Sequence, residues 1–222
     1  MAPDAAPFID PAARDHITVS GGDALTYLQS QVAQEVRDQA VGETRWTLVL
    51  EPNGKITALA RIARTAEDTF VLDTDAGYGE ALLARIDRFR IRVDAHTEFR
   101  AAERPDPSPE HEAARVAAGW PRMGAEIVPG ETIPAVTGIV REAVDFTKGC
   151  YPGQELVERM DSRGADAPKR LRIVDVDAGA RPGDPIRDAD GTEAGTITSV
   201  SGTTALGYVK RGVEVGRAPA HL

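Results

Sequence analysis

The sequence predicts an α+β fold, an antiparallel sheet-plus-helix body followed by a small C-terminal β-barrel. Three observations carry this. An Asn-Gly turn near residue 53 joins two runs of strand composition. Segments with apolar residues three and four apart stand before and after that hairpin. Beyond residue 170 the helical spacing gives way to short strands divided by Gly, Pro and Asp.

In chain order, Leu25, Leu28, Val32 and Val36 form one apolar stripe, which predicts a helix over residues 20–38 with Ser20 or Asp23 as its cap. Trp46–Leu50, the Pro52-Asn53-Gly54 turn and Lys55–Arg64 read as a β-hairpin. In its second arm Ile56, Ala58, Ala60 and Ile62 alternate with positions expected to be polar or exposed. Thr69–Leu72 is a third short strand. Residues 78–91 return to helical spacing through Leu82, Ile86 and Phe89. Three prolines within residues 101–110 mark a linker, and residues 110–118 read as a helix that stops at Gly119. The expected division is an N-terminal α+β module at 1–100, a linker at 101–109, a region at 110–165 that completes the module, and a barrel at 166–222.

The 222 residues are enough to bury roughly 70% of the unfolded surface in one unit. A net charge of −9 argues against direct binding to nucleic-acid phosphates. Cys150 is the single cysteine, so neither an intrachain disulfide nor a cysteine metal cage can form, and a reducing, cytoplasmic setting is expected. No apolar run reaches membrane-spanning length, and the first residues lack a signal-peptide pattern. Phosphate-binding glycine motifs are absent. The four histidines, His16, His96, His111 and His221, show no ligand spacing, and no metal site is expected. Asp188-Ala189-Asp190-Gly191 reads as a tight turn and not a calcium loop, because Ser199 stands where a bidentate Glu is required.

The stretch with the most chemistry is 146–164, FTKGCYPGQELVERMDSRG. Gly149 and Gly153 flank a Cys-Tyr-Pro turn, and Gln154–Met160 has helix-forming composition. Cys150 is thus expected just before a helix N-terminus, two residues from Lys148, and both features favour its thiolate.

Lys148-Gly149-Cys150-Tyr151-Pro152-Gly153-Gln154-Glu155 resembles the K-G-C-Y-x-G-Q-E signature of the YgfZ family, and Arg159, Arg163-Gly164 and Lys169-Arg170-Leu171 resemble its continuation. Weaker similarity covers residues 22–36, 48–62, 115–127 and 132–134. The resemblance implies a three-part fold shared with the glycine-cleavage T-protein, surrounding a cavity that accepts tetrahydrofolate. It implies an accessory role in iron–sulfur cluster assembly or repair, with an indirect effect on tRNA modification, and Cys150 as the residue of that role. The partners implied are iron–sulfur proteins or cluster carriers and a folate derivative. The expected cofactor contacts are Lys148, Tyr151, Gln154, Arg170, Trp46 and Trp120. Tyr27 is a further aromatic candidate, and Arg159 and Arg163 further attractors for a glutamyl tail.

Two departures from the T-protein pattern bear on activity. Ala58 and Leu59 stand where T-proteins carry an aspartate pair, which leaves no proton-transfer group there. Ala117 replaces a glutamate that reaches the pterin, so weak folate binding is expected. A folate-dependent aminomethyltransferase of the T-protein type is the alternative reading.

Overall fold

A computed structural model of the chain describes residues 6–162 and 167–219; Arg163, Gly164 and His221 lie outside the described residues. Five antiparallel strands form the first sheet: β1 Arg14–Ser20, β2 Thr44–Leu50, β3 Ile56–Ala66, β4 Thr69–Asp75 and β5 His96–Arg100, in the order β2-β3-β4-β1-β5. α1 (Ala24–Gln31) and α2 (Gly79–Asp87) cover one face. There Ile17, Val19, Leu28, Ile62, Phe70, Leu72, Leu82 and Ile86 are fully buried together. Each such side chain contributes about 1.5–3 kcal/mol through loss of water contact.

The opposite face carries a second core. Leu48, Leu50, Ile56 and Leu59 of the sheet meet Trp120, Met123, Ile127, Ile139, Val144, Tyr151 and Val157. The covering segment holds α5 (Val140–Ala143) and α6 (Gln154–Ser162), while α3 (Pro109–Ala118) and α4 (Pro134–Thr137) in the same stretch bury Val116 and Val136 against the C-terminal unit. The sheet is therefore packed on both sides, which corrects the alternation expected of the hairpin. Positions 56–60 of β3 are all buried, with Ala58 and Ala60 in the first core and Leu59 in the second.

Local chemistry sets the ends of the elements. Asp15 on β1 accepts N–H bonds from Gly77 and Gly79 at 2.8 Å each, and so satisfies the start of α2 from a neighbouring strand. Ser108 caps α3, Pro109 opens it, and Gly119 closes it in the left-handed region at φ 74°. The helix expected over 20–38 is shorter than its apolar stripe. Val32 is extended (φ −104°, ψ 156°), and Val32 and Val36 are buried from irregular backbone instead. Ser20 belongs to β1.

The proline-rich stretch is a strap laid on the body. Glu103 and Arg104 donate backbone N–H bonds to the Ala12 carbonyl. Asp10 accepts from Ala12 N at 3.2 Å, from Ser108 N at 2.7 Å and from the Arg104 guanidinium. Burial opposes ionisation of Asp10, but these donors outweigh it and hold the carboxyl below its ordinary value.

The second sheet comprises β6 Lys169–Asp175, β7 Pro185–Arg187, β8 Glu193–Ser201 and β9 Thr204–Lys210, in the order β6-β9-β8-β7. Asp188 Oδ1 accepts from Asp190 N and Thr192 N, forming the β7–β8 turn around Gly191 (φ 80°). Glu126 joins this unit to the body. Its carboxylate is fully buried and accepts from Arg115 Nη1 at 2.9 Å, Arg122 N at 3.0 Å, Thr198 Oγ1 at 2.6 Å and Ser199 Oγ at 2.7 Å.

Candidate functional site

Two neighbourhoods carry chemistry: the loop around Cys150 and a cavity walled by Trp46 and Trp120.

The loop is held from beneath. Lys148 is buried, and its Nζ donates to the carbonyls of Gln29 (2.8 Å), Val32 (2.5 Å) and Gln34 (3.0 Å), at and just past the C-terminus of α1. A cation placed there meets the negative end of the helix and replaces its missing N–H donors. Burial pushes the ammonium down to about 8, against the opposing effect of Glu35 and Asp145. The cofactor contact expected of Lys148 gives way to a clamp, because all three of its N–H groups are committed to main chain.

Gly153 adopts φ +84°, and a Cβ there would stand 2.6 Å from the Glu51 carbonyl at the end of β2. The Gly54 turn in return leaves room for Leu156 of α6. The signature loop and the early hairpin thus interlock backbone to backbone. Gly149 lacks a positive φ and has open space beside it. Cys150 is exposed above this base, four residues before α6. Gln154 Oε1 accepts from Tyr151 N at 3.3 Å and its Nε2 donates to Glu158 at 2.5 Å, while the Tyr151 ring is buried in the second core. Tyr151 and Gln154 therefore shape the loop and do not line the cavity.

The cavity has a volume of about 250 Å³. Trp120 lines it, stacked on Phe8 (centroids 5.2 Å apart, planes at 29°) and tilted against Trp46 (4.7 Å, 45°). Buried Leu59 and Met123 line it too, and Pro105 and Asp106 of the strap, both exposed, stand on its rim. Of the six expected cofactor contacts, Trp46 and Trp120 line this space; Lys148, Tyr151, Gln154 and Arg170 do not. Arg170 sits on β6 opposite Val209, and Arg159 pairs with Glu155 along α6. Tyr27 is buried, with its hydroxyl on the Ile86 carbonyl.

Leu59 turns to the cavity while Ala58 faces the other core, so a carboxylate is missing at one cavity position and not at two. Ala117 is exposed and outside the cavity wall, so its side chain takes nothing away from the cavity.

Three arginines outside the expected cofactor contacts line the cavity. Arg14 is buried and donates to Asp73 and Asp75, each at 2.7 Å. Burial would lower it, but Asp75 and Asp73 raise it above its ordinary value. Arg115 is buried between Glu112 at 2.7 Å and Glu126 at 2.9 Å. Arg122 differs from both. Its Nε is buried without a hydrogen-bond partner, and Nη1 stops 3.8 Å from Glu112. The pairing of Trp46 with Arg61 across β2 and β3 puts Leu48 opposite Leu59, a register set by a shift between Val49 and Leu50. Arg14 carried no local signal, because its partners lie 59 and 61 residues away in sequence.

Among the described residues no group of His, Cys, Asp and Glu could hold a metal ion, and no helix is long and apolar enough to cross a membrane.

Comparison with known proteins gives the same architecture. Residues 4–101 match the GCVT N-terminal domain and residues 169–219 match the CAF17 C-terminal β-barrel domain. An uncharacterized protein of Haemophilus influenzae is 28% identical over 82% of this chain and 80% of its own length. The mitochondrial iron–sulfur cluster assembly factor IBA57 homolog of Pyricularia oryzae is 27% identical over 90% of this chain, which spans 65% of that protein. The IBA57 homolog of Neurospora crassa is 35% identical over 34% of this chain and 18% of its own length. The crystal structure of glycine cleavage system aminomethyltransferase T from Bartonella henselae superposes with a TM-score of 0.77, at 15% identity, over 90% of this chain and 77% of that one. At that identity the likeness speaks for the fold. A GCVT-type body ending in a CAF17-type barrel, with IBA57 homologues among its relatives, bears out the resemblance of this chain to the YgfZ family.

Proposed function

We propose that this chain is an accessory factor in iron–sulfur cluster assembly or repair, acting through Cys150, and that its cavity is a weak site for a reduced folate. The observation that carries the reading is the exposed Cys150 on a loop fixed by Lys148 and Gly153, in a chain related to iron–sulfur cluster assembly factors. A rigid base beneath a free thiol suits one transient contact with a partner. A single thiol supplies one ligand of the four a cluster usually takes from protein, so the cluster stays on the partner. The partners are then iron–sulfur proteins or cluster carriers in a reducing, cytoplasmic setting, and any effect on tRNA modification passes through cluster-containing enzymes.

The cavity fits the flat part of a folate. The Trp120–Phe8 stack offers a ring-sized apolar face, and 250 Å³ lies just under the range of small-molecule pockets, roughly 300–1,000 Å³. A bound tetrahydrofolate would supply a carrier nitrogen for one-carbon groups. The chain's own residues would stack on the ring through Trp46 and Trp120 and shield it from water with the strap. Leu59 cannot move a proton at that nitrogen, which weighs against aminomethyl transfer.

The test is complementation of a deletion strain. Wild type should restore the activity of cluster-containing enzymes, whereas Cys150→Ser should not, although it melts within a few degrees of wild type. Full complementation by the serine variant would remove the proposed role. Measurable tetrahydrofolate-dependent release of ammonia from an aminomethyl-lipoyl donor would favour the transferase instead.

A further inference from the structure

We propose that Arg122 is the anion-binding residue of the cavity and takes a carboxylate carried by the ligand whose ring lies against Trp46 and Trp120. This rests on the reading of the cavity as a reduced-folate site. It moves the anion contact away from Lys148, Arg159 and Arg170, none of which lines the space.

Every other charged group walling the cavity from within is already matched. Arg14 is held by Asp73 and Asp75, and Arg115 by Glu112, Glu126 and the Trp120 carbonyl at 2.6 Å. Asp10 is filled by the strap, and Asp75 accepts from Arg14 and from Met123 N at 2.9 Å. Arg122 is about a quarter exposed, and its guanidinium makes no hydrogen bond among the described residues. The nearest carboxylate, Glu112, already gives both oxygens to Arg115, at 2.7 and 2.8 Å. It therefore neutralises Arg122 only at a distance.

A half-buried guanidinium with unfilled donors loses part of its hydration without replacement. An incoming carboxylate would restore two charge-assisted bonds in the fork geometry that arginine favours. Asp106, exposed on the rim, carries the opposite charge. The anion is thereby directed to the Arg122 side of the mouth.

The experiment is a titration of tryptophan fluorescence, since Trp46 and Trp120 stand in the cavity wall. Two probes are compared: 5-formyltetrahydrofolate, which carries the glutamyl carboxylates, and 6-methyltetrahydropterin, which has the ring alone. Wild type, Arg122→Gln and Arg122→Lys are titrated with each. Arg122→Gln should weaken the folate about tenfold, as expected for loss of one charge-assisted pair, and should leave the pterin within twofold. Arg122→Lys should fall between, keeping the charge but not the fork. Melting curves check that each variant is folded, and the lysine variant keeps the test open if the glutamine variant is not. If wild type binds both probes and Arg122→Gln loses both equally or neither, the proposal is overturned while the folate reading stands. If wild type binds neither probe, the folate reading falls and takes the proposal with it.

Discussion

Lys148 is a buried cation that uses carbonyl oxygens where most would use a carboxylate. Because burial lowers it from 10.5 to about 8, the folded chain holds this proton less tightly than the unfolded chain does. The sign follows: between about 8 and 10.5 the unfolded state binds more protons, so this group's contribution to stability rises with pH. Melting curves of wild type and Lys148→Met, taken at several pH values across that window, should show the wild-type advantage widening toward the alkaline end. A constant gap would mean that the lysine titrates normally. Accessibility gives a second check at this scale. Cys150 is exposed, so one thiol per chain should react with an alkylating reagent under native conditions as readily as after unfolding. The signature made Cys150 legible from sequence, but not the task of Lys148. Its carbonyl partners lie 114 to 119 residues upstream, in a segment whose apolar stripe disguised where the helix ends.

The two glycines of the signature loop separate at the scale of elements. Gly153 is required by its left-handed backbone and by the Glu51 carbonyl 2.6 Å from where a Cβ would stand. Gly153→Ala should destabilise by roughly 1–3 kcal/mol and perturb the Cys150 loop. Gly149→Ala, with ordinary φ and open space, should stay within about 0.5 kcal/mol in denaturant unfolding. Equal effects at the two positions would contradict the interlock of loop and hairpin. The hairpin, the Ser108-capped helix and α6 were all legible, because turn residues and three-and-four spacing mark them locally. β1 and β5 were not read as strands. β1 opens with buried Arg14 and Asp15, whose partners are supplied by β4, the strap and the start of α2. In β5 the alternating positions are only half covered, so no apolar pattern stands out.

Across the whole molecule, Glu126 ties body to barrel beside an apolar seam of Val116 and Val136 with Leu171, Ile173 and Leu206. It is fully buried, with donors from α3, its own loop and β8. Glu126→Ala should cost about 3–5 kcal/mol, because it strips one counterion from buried Arg115 and frees two hydroxyls of the barrel. The double variant Arg115→Ala/Glu126→Ala should lose less than the sum of the single variants. Additive losses would show that the two act independently. The division into an α+β body and a β-barrel was legible in the change of texture near residue 170. The cavity was not, because its wall draws on residues from Phe8 to Gly124 that no local pattern connects. That scatter bears on how the protein would report a ligand. A molecule lodged among the N-terminal segment, β2, β3, the strap and the turn after α3 would be a stitch through distant parts of one chain. It could not stay bound through partial opening of any of them, so occupancy and global melting become one equilibrium. A ligand at a hundred times its Kd should then raise stability by about 2.7 kcal/mol. A plain thermal-shift screen would thus read the cavity without any assay for what the protein does.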